Sequence, residues 1–203
     1  MPSQRFLLVT SGLLGVVAVG GWTCALVKGR EAAAQIDALQ ARIDHGTVFD
    51  DTTGLLNRAG ANLLALRIVN IARRDSDAVC GALIRILPPN GRAGLNDEDV
   101  LAVAEASQVV FRSGDAVGRV AGDTILVVGK GPGFRVATVE SRLVAQMVSM
   151  APPDTPLPGI LVSVAVLHPW DEGSLPELEQ RLANDLEVRL AVHGMVGHGE
   201  FTG

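Results

Sequence analysis

Residues 112–128 constrain the fold more than any other part of this 203-residue chain. Two short apolar runs, one ending at Val120 and one beginning at Ile125, flank the small turn Ala-Gly-Asp at 121–123. A glycine between two such runs is typical of a β-hairpin, because glycine accepts the backbone angles of a tight turn. An Arg-x-x-Asp motif at 112–115 precedes the first run. The sequence therefore predicts a β-hairpin with a pair of opposite charges just before it.

Segments with helical and with strand-like periodicity alternate on both sides of the hairpin. The spacing of apolar residues predicts helices at 58–74, 97–111, 135–150 and 175–192, and strands at 78–87 and 159–167. Asn96 stands before an acidic first turn, so we expect it to cap the second of these helices. This alternation indicates an α/β fold.

The N-terminal part of the chain contains a run of 22 residues without a charge, at 6–27. Such a run is long enough to cross a bilayer as a helix. A cleaved signal peptide is the alternative, but the run exceeds the usual apolar region of a signal peptide, and Lys28 and Arg30 follow at once. We therefore expect a short tail at 1–5 and a single-pass transmembrane helix at 6–27 in the cell membrane. The Lys and Arg residues after the run predict that the rest of the chain faces the cytoplasm.

Residues 28–48 are predicted to form a linker helix, in which Ile36, Leu39 and Ile43 recur at spacings of three and four. A plain amphipathic linker and a short parallel coiled coil that pairs two copies both fit this pattern, since two heptads are too few to decide. The folded domain is expected at 49–194, followed by a glycine-rich flexible tail at 195–203.

Composition excludes several classes of function. The net charge of −5 argues against a general nucleic-acid binder. Aromatic residues make up only 3% of the chain and tyrosine is absent, which argues against a surface for base stacking. Cys24 and Cys80 are far apart, and the four histidines lack the spacing of metal ligands. We therefore expect no metal centre and no nucleic-acid partner.

The hairpin resembles the signature of GGDEF-type diguanylate cyclase domains, in which Arg-x-Gly-Gly-Asp-Glu-Phe surrounds the turn. Three signature positions match, at Arg119, Gly122 and Asp123, and three depart, at Ala121, Thr124 and Ile125. Residues 50–58, Asp-Asp-Thr-Thr-Gly-Leu-Leu-Asn-Arg, are similar to the Asp-x-Leu-Thr-Gly-Leu-x-Asn-Arg motif that opens such domains. The resemblance covers residues 50–194. It implies a central, mostly antiparallel sheet of about five strands with helices on both faces.

The same resemblance implies a two-metal reaction that joins two GTP molecules, which needs carboxylates on adjacent strands. Asp123 is the carboxylate that this chain keeps, whereas Thr124 replaces the signature Glu and Ala191 replaces a late Lys. Residues 85–87, Arg-Ile-Leu, stand where the family has Asp-x-Asp. A single carboxylate is a poor site for magnesium. We therefore expect no catalytic residue and no cofactor. The alternative is an active diguanylate cyclase that makes cyclic di-GMP with magnesium in an atypical arrangement.

Arg112 and Asp115 resemble the family's inhibitory Arg-x-x-Asp site, because five residues separate Asp115 from Ala121 as in the family. The resemblance implies a binding site for cyclic di-GMP. Arginine suits phosphate and the guanine edge, and aspartate suits the guanine N–H groups. Arg119 is a candidate second cation. An ordinary surface salt bridge between Arg112 and Asp115 is the alternative interpretation.

Taken together, the sequence predicts a membrane-anchored, catalytically inactive GGDEF-like domain that acts as a cyclic di-GMP sensor or regulatory scaffold in bacterial signalling. We expect a homodimer with a protein partner that the sequence does not identify. A structural dimerisation or recruitment module that binds no nucleotide is a further alternative.

Overall fold

The computed structural model describes residues 48–131, 133–171 and 173–199. The predicted transmembrane helix at 6–27, and the linker up to residue 47, lie outside the described residues. Within the described ranges, no helix combines the length and the hydropathy that crossing a bilayer requires.

The described residues form a five-stranded sheet and four helices. In chain order these are β1 (Leu56–Asn57), α1 (Arg58–Asp75), β2 (Val79–Leu87), α2 (Asp97–Val110), β3 (Ala116–Ala121), β4 (Thr124–Lys130), α3 (Val136–Met150), β5 (Gly159–Leu167) and α4 (Leu175–Gly199). The strand order across the sheet is β1-β3-β4-β2-β5. The two-residue strand β1 pairs parallel with β3, and the other three pairings are antiparallel. The predicted α/β class and the mostly antiparallel sheet are confirmed.

The predicted hairpin is formed by β3 and β4. Arg119 pairs with Ile125, and after a local irregularity Ala121 pairs with Thr124, which leaves Gly122 and Asp123 as the turn. The tip of this hairpin lies beside the end of β2, because the Ile86 N–H donates to the Asp123 carbonyl at 2.8 Å.

The two faces of the sheet carry separate hydrophobic clusters. The face covered by α2 and α3 buries Ile84, Ile125, Val127, Leu143 and Met147. The face covered by α1 and α4 buries Val69, Leu126, Val128, Leu178 and Leu182. Successive residues of a strand point to opposite faces, so strands covered on both sides read as nearly continuous apolar runs. The helices therefore lie on both faces of the sheet, as predicted.

Polar side chains define where two of the helices begin. The Asn57 Oδ1 accepts a hydrogen bond from the Gly60 N–H at 2.9 Å at the start of α1. Asn96 caps α2 as predicted, and Asp99 completes a reciprocal capping box. The last helix differs from the prediction, since α4 continues to Gly199 rather than ending at Val192. Glycine weakens a helix interior without forbidding it, so the glycines of this segment do not stop the helix.

Candidate functional site

The hairpin tip carries an ion pair that joins two strands. The Arg85 Nη1 donates to the Asp123 Oδ1 at 2.7 Å and to the Thr124 Oγ1 at 3.0 Å. The Thr124 hydroxyl in turn donates to the Asp123 Oδ1 at 2.9 Å. Arg85 and Thr124 are direct partners in the register of β2 and β4, so their side chains share one face of the sheet. The Asp123 carboxylate is therefore already neutralised by a cation from the neighbouring strand.

This arrangement bears on metal binding at the hairpin. In the described ranges, no group of three or more His, Cys, Asp or Glu side chains is placed to hold a metal ion. The side chains of Arg85 and Asp123 are 34% and 37% exposed, so both reach solvent at the end of the sheet where the hairpin turns. A divalent cation at Asp123 would have to compete with a guanidinium that makes a short, charge-assisted hydrogen bond.

The other signature positions have structural roles. Ala121 is exposed at the end of β3, and Ile125 is fully buried in the cluster under α2 and α3. Arg119 braces the turn, because its Nη2 donates to the Gly122 carbonyl at 2.7 Å. Arg119 Nη1 also contacts the Asp50 Oδ1 at 3.2 Å. The first residue of the 50–58 motif is thereby connected to the hairpin turn.

Asp50 is the centre of a small polar network. Its Oδ1 accepts from the Thr53 N–H at 3.0 Å and from the Thr53 hydroxyl at 2.8 Å, in addition to the contact with Arg119. Desolvation is the largest single influence on this carboxyl and raises its pKa. The hydrogen bonds from Thr53 and Arg119 together outweigh it, so the pKa of Asp50 lies below its ordinary value of 3.8.

Arg112 and Asp115 lie together in the turn between α2 and β3. The Asp115 Oδ2 accepts from the Arg112 N–H at 3.0 Å, and the Asp115 N–H donates to the Arg112 carbonyl at 3.0 Å. Asp115 also packs over Gly129, where a Cβ atom would stand only 2.5 Å from the Asp115 Oδ1. Among the described residues, the exposed Arg112 guanidinium has neither a hydrogen-bond nor an ion-pair partner. The alternative of an Arg112–Asp115 side-chain salt bridge is therefore wrong for this geometry.

Two concave surfaces meet at Arg112 and Asp115. A groove of about 360 Å³ lies on one side and is lined partly by Leu55, Phe111 and Val117. A smaller pocket of about 90 Å³ lies on the other side and is lined partly by Phe134 and Arg142. The ring of Phe111 contacts that of Phe134 edge to face, at 5.4 Å between centroids.

Arg142 is a cation of this site that the sequence did not indicate. Its Nη2 donates to the Val110 carbonyl at 2.8 Å, which fixes the guanidinium at the rim of the smaller pocket. Arg119, the predicted second cation, lies at the opposite end of β3 from Asp115 and is bound to the hairpin turn. The structure thus brings Arg112, Asp115 and Arg142 together and does not bring Arg119 to them.

Comparisons with known proteins identify the fold. No protein-family model and no curated protein matches the chain. Solved structures do match. The GGDEF domain of DgcB from Caulobacter crescentus, in complex with c-di-GMP, aligns with a TM-score of 0.55 and 17% identity, covering 70% of this chain and 90% of that chain. The chain has a GGDEF-type fold.

Two further structures agree on the GGDEF-type fold. The FimX GGDEF domain from Pseudomonas aeruginosa aligns with a TM-score of 0.52 and 15% identity, covering 71% of this chain and 96% of that chain. The diguanylate cyclase SiaD from Pseudomonas aeruginosa, in complex with its activator SiaC, aligns with a TM-score of 0.50 and 15% identity, covering 90% of this chain and 78% of that chain. The fold that the sequence resemblance implied is therefore confirmed.

Proposed function

We propose that this chain is a catalytically inactive GGDEF-type signalling domain that binds cyclic di-GMP at the turn formed by residues 112–115. The observation that carries the proposal is the Arg112 guanidinium, which is exposed and makes no hydrogen bond or ion pair among the described residues. The Asp115 carboxylate beside it is fixed by a hydrogen bond from the Arg112 N–H. The GGDEF domain of DgcB, which shares the fold, was solved in complex with c-di-GMP, and this supports the choice of ligand.

The chemistry of the turn suits a guanine nucleotide with a phosphodiester. Arg112 offers a planar set of N–H donors that matches two phosphate oxygens or the guanine O6 and N7. A carboxylate has about four lone-pair sites, so Asp115 can accept from guanine N–H groups while it keeps its bond to the Arg112 N–H. Arg142 adds a positive charge at the adjoining pocket. The groove on the other side offers apolar surface for a base.

Inactivity is supported by the contacts of the hairpin tip. The side chain that a metal ion would approach first, Asp123, is bound to Arg85 and Thr124. The chain offers a guanidinium at the end of β2 where the family resemblance implies a carboxylate. We therefore propose that the domain binds cyclic di-GMP and does not synthesise it.

The proposal places this domain on the cytoplasmic side of the cell membrane, carried by the transmembrane helix predicted at 6–27. It also includes a homodimer and a protein partner. The partner is supported by analogy alone, because SiaD, a structure of the same fold, was solved in complex with its activator SiaC.

Titration calorimetry on the full chain in detergent tests the binding site. We expect saturable binding of cyclic di-GMP and at least a tenfold weaker affinity for Arg112→Ala, because hydrogen bonds to charged groups contribute about 1.5–3 kcal/mol each. Arg112→Lys should fall between the two, since lysine lacks the planar fork. Arg67→Ala, an exposed arginine on α1, is the matched control and should bind as the parent does.

Two outcomes would contradict the proposal. Absence of binding at high micromolar ligand, or equal affinity for the parent and Arg112→Ala, would remove the sensor function. Formation of cyclic di-GMP from GTP and magnesium by the parent chain would establish the active-cyclase alternative.

A further inference from the structure

Strand β5 is an edge strand of the sheet without charges of its own. The strand order places it at one end, and it has nine residues, Gly-Ile-Leu-Val-Ser-Val-Ala-Val-Leu, with neither a charge nor a proline. Its pairing with β2 is continuous over all nine positions, without a bulge. Exposed edge strands are normally protected by charges, prolines, bulges or short length. The strand itself has none of those devices; its centre is instead covered from α3, where Val162 is fully buried and its N–H bonds to Glu140.

The register shows which backbone groups of β5 point outward. The Ile86 N–H bonds toward β4. The backbone groups of even-numbered residues of β2 therefore hydrogen bond to β4, and those of odd-numbered residues hydrogen bond to β5. Because Leu83 pairs with Ser163, odd-numbered residues of β5 bond inward to β2. The outward groups therefore belong to Ile160, Val162, Val164 and Val166. The contact of the Val162 N–H with Glu140 of α3, at 3.4 Å, agrees with this assignment. No other hydrogen bond from these four N–H groups occurs among the described residues.

Helix α3 extends this edge with exposed apolar side chains. Glu140, Val144 and Val148 follow each other at intervals of four and so form one row on the helix. Val144 is 44% exposed and Val148 is 58% exposed. Glu140, at the start of this row, reaches the outward side of β5. Val144 and Val148 continue the row as exposed apolar side chains.

We propose that β5 pairs antiparallel with β5 of a second copy of this chain, about a two-fold axis at Ser163. In this register Ile160 lies opposite Val166 of the second copy, and Val162 lies opposite Val164. Each such pair exchanges two backbone hydrogen bonds, so all outward groups of the four residues are satisfied by an identical strand. A two-fold contact of this kind is closed and self-complementary.

Ser163 gives a second, independent reason for a second copy. Its side chain is fully buried, and its Oγ has no hydrogen-bond partner among the described residues. Unsatisfied buried hydroxyls are uncommon in native proteins. On the proposed axis the two Ser163 residues form a directly opposed pair, with Cα atoms about 4.5 Å apart. Cross-strand serine pairs of this type can hydrogen bond.

Glu140 is the group that competes with the pairing. Its carboxylate covers the Val162 N–H through a long hydrogen bond, and it must leave when a partner carbonyl takes that position. Glu140→Ala should therefore raise the dimer fraction, whereas Glu105→Ala, an exposed glutamate on α2, should leave it unchanged.

Disulfide cross-linking of the full chain, with Cys24 replaced by Ser, tests the register. Ser163→Cys should yield a covalent dimer under mild oxidation. Leu161→Cys alone should not, because the two Cys residues would be four positions apart, about 13 Å, and disulfides need Cα atoms within about 7 Å. A mixture of Leu161→Cys and Ala165→Cys should cross-link, because these positions are opposite each other.

Val164→Pro provides the disrupting variant. Its N–H points outward, so the change should spare the hydrogen bonds to β2 while abolishing the Ser163→Cys cross-link. Because Val164 packs against the core, Val164→Ala is the matched control: it should lower the melting temperature similarly and keep the cross-link. The proposal is overturned if folded Ser163→Cys forms no more dimer than the parent. Cross-linking of Leu161→Cys alone as readily as Ser163→Cys, or a cross-link that survives Val164→Pro, would overturn it as well.

Discussion

Replacing Asp50 tests whether the contacts of this residue with Thr53 and Arg119 stabilise the folded domain. Asp50 accepts two hydrogen bonds from Thr53 and contacts Arg119, and the side chains of Arg119 and Asp50 are 15% and 23% exposed. A neutral hydrogen bond contributes about 1 kcal/mol net, and one between charged groups contributes about 1.5–3 kcal/mol. After a discount for solvent screening, we expect Asp50→Ala to cost about 3 kcal/mol. Asp50→Asn keeps an acceptor for Thr53 and should cost about 1 kcal/mol.

Thermal unfolding measures this difference. For a domain of this size, about 1 kcal/mol corresponds to roughly 2–4 °C in Tm. We therefore expect Tm to fall by roughly 6–12 °C for Asp50→Ala and by roughly 2–4 °C for Asp50→Asn at neutral pH. Asp51→Asn, at the exposed neighbouring aspartate, is the control and should change Tm by less than about 1 °C.

The pH dependence of the Tm difference between the parent and Asp50→Asn tests the same contacts independently. Because the pKa of Asp50 is lowered on folding from its ordinary value of 3.8, the charged form stabilises the native state above that pH. The contribution is lost as the pH falls through the still lower pKa of the folded state. The Tm gap between the parent and Asp50→Asn should therefore close under acid. A gap that widens on acidification, or equal Tm values for Asp50→Asn and Asp51→Asn at pH 7, would refute the reasoning.

Three further predictions concern the hairpin and its surroundings. In a double-mutant cycle, Arg85→Ala and Asp123→Ala should couple by about 0.5–1 kcal/mol, since the pair is partly solvent-screened; additive effects would argue against the ion pair. Gly118→Ala should lower Tm strongly, because its Cβ would stand 2.9 Å from a backbone oxygen, whereas Gly122→Ala has open space and should be nearly neutral; equal Tm values would contradict this packing. Burial raises the pKa of Glu179, so Glu179→Gln should raise Tm at pH 7 and have no effect well below pH 4.5, as pH-dependent calorimetry can check.

Much of the fold could be predicted because its signals are local. The hairpin turn, the cap at Asn96 and the strand at 159–167 depend on residues close together in sequence, and the structure places them as expected. Strand β1 was not predicted, because a two-residue parallel pairing with β3 has no local sequence pattern. The glycine-rich composition after Val192 predicts a flexible tail from residue 195, whereas α4 continues to Gly199.

The candidate site was only partly predictable. The closeness of Arg112 and Asp115 follows from their spacing in one turn, whereas Arg142 reaches them from a helix 30 positions further along the chain. The pairing of Arg85 with Asp123 joins two residues 38 positions apart, so it depends on the register of β2 and β4 rather than on a local sequence pattern. The family resemblance marks Arg85 only as the position of a missing carboxylate and predicts no partner for its guanidinium.

The ion pair at the hairpin tip has a consequence for how this domain depends on its surroundings. A magnesium ion is exchangeable, so its occupancy follows the concentration of the free ion and the presence of chelators. The guanidinium of Arg85 belongs to the strand beside Asp123, so it is present in every molecule at a fixed local concentration. The shape of this turn should therefore be the same in magnesium-starved and magnesium-replete cells.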